Sequence, residues 1–251
     1  MPEILAEALA TPGLIWLVLA VSAAGLVRGF SGFGSAMIIM PVASSVLPPV
    51  QAVIFVMFTE LVGPLPNLRA ALRDGDLPDV RRLGIGAVFA LPLGLLALTM
   101  IDPRLFGWAV SAIVLSLLVM LMAGWRYQGT LSAKLTMVAG GLGGFMTGFS
   151  GIPGPPVIML YMASTLPISV IRANFLLYLV LLDLLLVPIM WVSGLMVWKI
   201  ALLGLLVGIP NLIANALGAL MFNPDGEKLF RTVAYIVIAS SAIIGLPLWK
   251  G

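Results

Sequence analysis

The chain has 251 residues, of which 61% are hydrophobic and only 9% are charged, with a net charge of +3. A soluble domain carries about 25% charged residues, so this composition excludes a water-soluble globular protein. The absence of cysteine and histidine excludes disulfides, thiol chemistry and metal sites built from Cys or His ligands. The apolar runs are long and continuous rather than alternating, so we predict an all-α protein whose helices span a membrane.

Eight apolar segments follow one another along the chain. The first and the fifth are longer than the roughly 20 residues that one span needs. Glycines interrupt both in the middle, and prolines also interrupt the fifth, so we expect each of these two segments to be a broken or re-entrant helix. The predicted segments are about 13–47, 50–68, 83–101, 105–125, 135–165, 170–193, 198–221 and 229–248.

An internal repeat covers nearly the whole chain. The sequence "GFSG" occurs at Gly29–Gly32 and again at Gly148–Gly151, and two further matches follow in the same order at a near-constant offset. We therefore predict two four-segment repeats, residues 1–127 and 128–251, within one integral membrane domain. The further matches pair "FALPLG" (Phe89–Gly94) with "VGIPNL" (Val207–Leu212), and "IDPRLF" (Ile101–Phe106) with "FNPDGEKLF" (Phe222–Phe230).

Positive charges predict how the two repeats are oriented. The loops Arg69–Arg82 and Arg126–Lys134 are basic and are expected on the cytoplasmic side, and we interpret Arg73–Arg82 as a solvated loop. If the first segment of each half is a re-entrant hairpin, each half crosses the membrane three times and the repeats are inverted. A single crossing would make the repeats parallel; the charges favour the inverted arrangement.

The paired interruptions indicate a binding site. Irregular backbone at membrane depth is tolerated only where it is buried in protein or lines a watery cavity, and interruptions at matching positions of two halves are typical of transporter sites. The alternative is that the glycines only allow close helix packing, which does not account for Pro153, Pro155 and Pro156. Two half-helix N-termini that converge would attract a small anion.

Arg28 adds a permanent positive charge and a bidentate fork that suits a sulfonate, carboxylate or phosphate group. Ser31, Ser35, Thr147 and Ser150 add hydroxyl donors. Thr147 stands where the first copy has Arg28, so we expect an asymmetric site in which only the first half supplies the charge. The predicted substrate-binding residues are Arg28, Gly29, Phe30, Ser31, Gly32, Gly34, Ser35, Thr147, Gly148, Phe149, Ser150, Gly151 and Gly154.

Two carboxylates, Glu60 and Asp183, lie within apolar segments, where ionisable groups are costly and usually functional. Three roles stay open for them: carrying protons, coordinating Na⁺, or neutralising Arg28 and Arg172 in the empty state. Arg172 is either a cytoplasmic anchor or a second contact to the anion. Three amides, Asn174, Asn211 and Asn215, bind substrate or hold helices together.

The eight segments, the two halves and the glycine-rich interruptions resemble the TauE/SafE sulfite exporter family of inner-membrane permeases. In this chain each interruption is followed by "IIMP" (Ile38–Pro41) or "VIML" (Val157–Leu160), and the second copy departs from the commoner family pattern by its proline-rich "IPGPP". The resemblance implies a multi-pass protein of a bacterial-type inner membrane that moves sulfite, sulfonates or related organic anions. It also allows a homodimer.

The sequence thus predicts a secondary transporter that works by alternating access around the two broken helices. No G-x-x-x-x-G-K-[ST] motif occurs, so ion coupling by protons or Na⁺, or facilitated diffusion, must drive the transport. The alternative is an anion channel or a facilitated-diffusion pore. We expect no enzyme, since the chain offers no nucleophile–base pair and no metal cluster, and we expect no cofactor, bound metal or nucleic-acid partner.

Overall fold

The computed structural model describes residues 7–31, 34–63, 67–123, 132–161, 166–221 and 227–249. Over these ranges all the regular structure is helical, as predicted. The helices are α1 (Leu14–Ser31), α2 (Ser35–Val46), α3 (Pro49–Glu60), α4 (Leu68–Asp74), α5 (Leu77–Met100), α6 (Pro103–Met122), α7 (Ala133–Ser150), α8 (Gly154–Tyr161), α9 (Ile168–Val192), α10 (Trp198–Met221) and α11 (Glu227–Ile244), followed by a short 3₁₀ helix at Pro247–Trp249.

Five of the described helices are long and apolar enough to cross a membrane: α1, α5, α6, α9 and α10. Helices α2, α3 and α11 are apolar but shorter. The first predicted segment contains α1 and α2, and the fifth contains α7 and α8, whereas each of the other segments contains one helix of 12 residues or more. The inverted repeat and the broken-helix interpretation stay predictions.

One expectation about the polar stretch near residue 75 is wrong. Arg73–Arg82 is not a continuous solvated loop, because α4 extends to Asp74 and α5 begins at Leu77. Asp79 lies in the first turn of α5 and only 6% of it is exposed. The basic and acidic residues made this stretch look like a loop, although its second half opens a helix.

Local signals explain several helix ends. The Ser132 hydroxyl caps α7 by accepting a hydrogen bond from the Leu135 amide at 3.2 Å. Gly151 ends the same helix in the left-handed conformation, with φ of 64°, and its amide donates to the Thr147 carbonyl at 2.9 Å. Gly34 precedes α2 with φ of 93°, a conformation that side chains with a Cβ rarely adopt.

The helices form two compact units. The first consists of Met1–Gly63, Ile101–Val119 and Val197–Gly251, and the second of Pro64–Met100 and Met120–Met196. In the first unit α1 and α3 both pack against α10; in the second, α7 and α9 both pack against α5. Because α7 corresponds to α1 and α5 to α10 in the sequence repeat, both units use the same pairing. Each unit therefore combines helices of both sequence halves, and the division into 1–127 and 128–251 stays a prediction about the repeat.

Glycines allow the closest of these helix pairs to touch backbone to backbone. A Cβ at Gly29 of α1 would overlap the carbonyl oxygen of Asn215 and lie 2.7 Å from the amide nitrogen of Ala219 on α10. In the second unit, a Cβ at Gly148 of α7 would overlap the carbonyl oxygen of Leu91 on α5. Such contacts are typical of small-residue interfaces between membrane helices.

Candidate anion site

A largely buried ion pair lies at the end of two apolar helices in the first unit. Arg28 stands in the last turn of α1 and Glu60 is the last residue of α3, and the Arg28 Nη1 donates to Glu60 Oε2. The two side chains are 17% and 18% exposed. Of the three roles that the sequence left open for Glu60, neutralising Arg28 is therefore the one that the geometry displays.

Two further helices bring polar groups to the same carboxylate. The Ser35 hydroxyl, on the first residue of α2, donates to Glu60 Oε2 at 2.8 Å. The Asn211 Nδ2, in α10, faces Glu60 Oε1 at 3.5 Å, the outer limit of a hydrogen bond. Ser35 and Asn211 are both buried. We call Arg28, Ser35, Glu60 and Asn211 the anion-site group; α1, α2, α3 and α10 contribute one member each.

Glycines leave the space that this group needs. A Cβ at Gly63 would lie 3.3 Å from the Arg28 Nη1, so a side chain there would press on the guanidinium. The left-handed Gly34 lets the chain reach the start of α2 directly beside Ser35. Gly34, which has no side chain, does not cap the α2 N-terminus.

The predicted hydroxyl donors divide into two kinds. Ser35 donates across helices to Glu60, but the other three donate to the carbonyl oxygen one turn earlier in their own helix. Thr147 donates to Gly143 and Ser150 to Met146, at 2.7 and 2.9 Å, and Ser31 donates in the same way to Val27 at 2.6 Å. An anion would have to replace these bonds to use the three hydroxyl protons.

The predicted glycines and aromatic residues also have distinct roles. The close-packing alternative fits Gly29 and Gly148, whose Cα atoms face the backbone of a neighbouring helix. Gly34 and Gly151 take left-handed conformations, Gly154 begins α8, and Gly32 lies outside the described residues. Phe30 packs against Phe230 with ring centroids 5.2 Å apart, and Phe149 stacks on Phe145 at 6.1 Å.

The remaining candidates belong to α9 and α10. Asp183 is half-buried in α9, and Arg172 is exposed near the start of the same helix. Asn215 is half-buried in α10, one turn after Asn211, and its carbonyl oxygen is the atom that a Cβ at Gly29 would overlap. Of the three amides, Asn211 joins the anion-site group, whereas Asn174 belongs to a cluster in the second unit.

Sequence reasoning missed that second cluster, in which the Tyr161 hydroxyl donates to Asp79 Oδ2 at 2.6 Å. Asn174 donates to the Tyr161 hydroxyl at 3.3 Å and accepts from the Asp76 amide at 2.7 Å, and Arg82 lies 3.5 Å from Asp79 Oδ1. Tyr161 and Asn174 are fully buried. These bonds connect the start of α5, the end of α8 and the start of α9, so Asn174 here holds helices together.

We predict that Tyr161→Phe destabilises the protein without weakening anion binding. The substitution removes the hydroxyl that Asp79 accepts from and Asn174 donates to, which costs about 1–3 kcal/mol when the remaining groups stay buried. The measurement is the melting temperature in detergent, together with the dissociation constant for the anion at a temperature where the protein is folded. A weaker affinity at unchanged stability would contradict this structural role.

The comparisons with known proteins decide the family. A sequence model described as "Sulfite exporter TauE/SafE" matches residues 17–244, nearly the whole chain. The chain belongs to the TauE/SafE family. Members of this family are transporters rather than enzymes, and membership implies a membrane transporter of sulfur-containing anions such as sulfite. Together with the five apolar helices, it indicates a multi-pass membrane protein. No curated protein and no solved structure matched the chain.

Proposed function

We propose that this TauE/SafE protein is a secondary transporter of a small anion, such as sulfite, a sulfonate or a related organic anion. The anion binds at the anion-site group, and Arg28 is its principal contact. The observation that carries the proposal is an arginine held among apolar helices beside a hydroxyl, an amide and a carboxylate. Charged residues at such positions are costly and mark substrate pathways.

The chemistry of the group suits an oxyanion of this class. A guanidinium fork binds two oxygens of one sulfonate or sulfite in parallel, and a serine hydroxyl and an asparagine amide donate to the remaining ones. The α2 N-terminus next to Ser35 adds uncapped amides and the positive end of a helix dipole. Each of these groups favours a negative ligand.

Alternating access is the transport mechanism that we propose, with the two helix interruptions as its moving parts. In support, α1 ends at Ser31 and α2 begins at Ser35, while α7 ends at Ser150 and α8 begins at Gly154. Inverted repeats would let the two halves exchange conformations, which is how many secondary transporters open to either side. We place the protein in a bacterial-type inner membrane.

The test is a thermal-shift panel on the detergent-purified protein with sulfite, methanesulfonate, sulfoacetate, thiosulfate and dicarboxylates. A ligand at about 100 times its dissociation constant stabilises the folded state by about 2.7 kcal/mol, so a binding anion raises the melting temperature. We expect the sulfur oxyanions to do so. A panel in which no sulfur oxyanion stabilises the protein would refute the proposal.

Flux measurements distinguish a transporter from an anion channel. We expect uptake into proteoliposomes to saturate with methanesulfonate concentration and to show exchange of internal for external anion. An anion current that reaches the rates of a channel and does not saturate with anion concentration would instead favour an anion channel.

A further inference from the structure

The Glu60 carboxylate takes the place that a substrate anion would take. Its Oε2 accepts hydrogen bonds from Arg28 and Ser35, and its Oε1 faces the amide of Asn211. A carboxylate and a sulfonate both present anionic oxygens with similar spacing to a guanidinium. Glu60 is thus a tethered anion that holds the same donors that the transported anion needs.

Binding of an anion would put two negative charges around one guanidinium. The side chains are more than four-fifths buried, so water screens this repulsion poorly, and a buried carboxylate without its partner is costly. The cost disappears if Glu60 becomes a neutral acid. A protonated Glu60 also has an O–H that can donate a hydrogen bond to the arriving anion.

We propose that Glu60 takes up one proton when the anion binds, so that the protein couples the anion to a proton. The inference rests on the proposed function of the anion-site group. The empty site holds Arg28⁺ and Glu60⁻, and the loaded site holds Arg28⁺, neutral Glu60 and the monoanion. Both states have a net charge of zero, so one cycle moves one proton together with one monoanion and no net charge.

The charged groups on the described helices around Glu60 can be named. Helix α11, which packs against α1 and α2, carries Arg231, which is exposed. Arg28 is the charged side chain that α1 brings to Glu60, and α2 carries no titratable residue. On α10 the charged residue is Lys199, which is exposed in the first turn, whereas Asn211 lies in the middle of the helix. Na⁺ is a poor alternative partner, because it would have to share the carboxylate with a guanidinium.

Isothermal titration calorimetry with methanesulfonate tests the proposal, since this anion does not itself titrate near neutral pH. We expect the wild-type affinity to fall as the pH rises, by about tenfold per pH unit wherever one full proton is taken up with the anion. Titrations in buffers of different ionisation enthalpy should report uptake of about one proton per bound anion. This readout needs no variant, so it does not depend on whether a substituted protein folds.

Two variants locate the proton. In Glu60→Gln the side chain is neutral at every pH, so we expect tight binding that no longer depends on pH and no proton uptake. The control is Asp74→Asn, which removes an exposed carboxylate that pairs with Arg73. The hydrogen bond from Arg73 lowers the pKa of Asp74, so this group stays ionised over the whole range. The control should keep the wild-type pH dependence.

The outcomes distinguish the proton coupling from the anion site itself. Binding that requires Arg28 but is independent of pH, or that keeps its pH dependence in Glu60→Gln, overturns the proton coupling and leaves the anion site intact. Binding that does not require Arg28 overturns both. In proteoliposomes, the initial rate of anion uptake should rise with an inward proton gradient. The same rate should not change when valinomycin and K⁺ set a membrane potential. Uptake that follows the potential would contradict the electroneutral cycle.

Discussion

We expect the substitution of Arg28 by methionine to abolish anion binding and transport. Arg28 provides the permanent charge of the anion-site group, and hydrogen bonds to a charged group contribute about 1.5–3 kcal/mol each. The loss of a bidentate contact should therefore weaken binding at least about 100-fold. The measurements are the calorimetric dissociation constant for methanesulfonate and the initial rate of uptake into proteoliposomes.

The single variant leaves Glu60 buried without its counter-charge, which costs roughly 3 kcal/mol or more and threatens folding. The informative comparison is therefore between the double variant Arg28→Met, Glu60→Gln and the single variant Glu60→Gln. Both have a neutral residue 60, so they differ in the guanidinium alone. Arg73→Met is the control for loss of a positive charge, since Arg73 is exposed in α4. Equal affinities of the double and single variants would exclude Arg28 as the anion contact.

The second large effect is on stability, and we expect it from Gly148→Ala. A Cβ at this position would overlap the carbonyl oxygen of Leu91 and lie 2.8 Å from the amide nitrogen of Leu95. Both atoms belong to the backbone of α5, which cannot move aside as a flexible side chain can. The helices α5 and α7 would have to separate, at a cost of about 1–3 kcal/mol or more. The melting temperature in detergent should fall by several degrees.

Gly141 provides the matched control on the same helix. A Cβ there would come no closer than 3.5 Å to the Gly86 carbonyl oxygen, an ordinary contact, so Gly141→Ala should leave the melting temperature unchanged or raise it slightly. If Gly148 instead acts by contacting the anion, Gly148→Ala would weaken binding while its melting temperature stayed close to that of Gly141→Ala. That result would support the binding role that the sequence suggested.

Much of the helical framework could be predicted, because long apolar runs bounded by charges, glycines and prolines have few structural alternatives in a membrane. The predicted segments match the helices to within a few residues at most ends. Helices α1 and α7 both have the serine of a "GFS" motif as their last residue. The main error, at Leu77–Arg82, arose because a charged helix start has the same composition as a loop. Tertiary burial alone distinguishes the two.

The candidate site was predicted less completely, for reasons that lie in its contacts. Arg28 and Glu60 stood out individually, but their pairing depends on how α1 and α3 end, so it remained one of three alternatives. The hydrogen bond from Tyr161 to Asp79 joins residues 82 positions apart, and no local sequence pattern predicts it. A glycine that serves packing and one that serves a ligand look identical in a sequence. Gly29 and Gly148 could therefore be assigned to packing only from their neighbours on α10 and α5.

Each compact unit combines helices from both halves of the chain, so the two units are completed at different times during translation. The second unit ends at Met196, so all its helices are synthesised before α10, which begins at Trp198. The first unit must wait for the final stretch of the chain, and α1 spends most of translation without the helix that its glycines fit. The counter-charge of Arg28 is synthesised early, because Glu60 lies within the same stretch, Met1–Gly63. Glu60 can therefore neutralise Arg28 when α1 and α3 enter the bilayer.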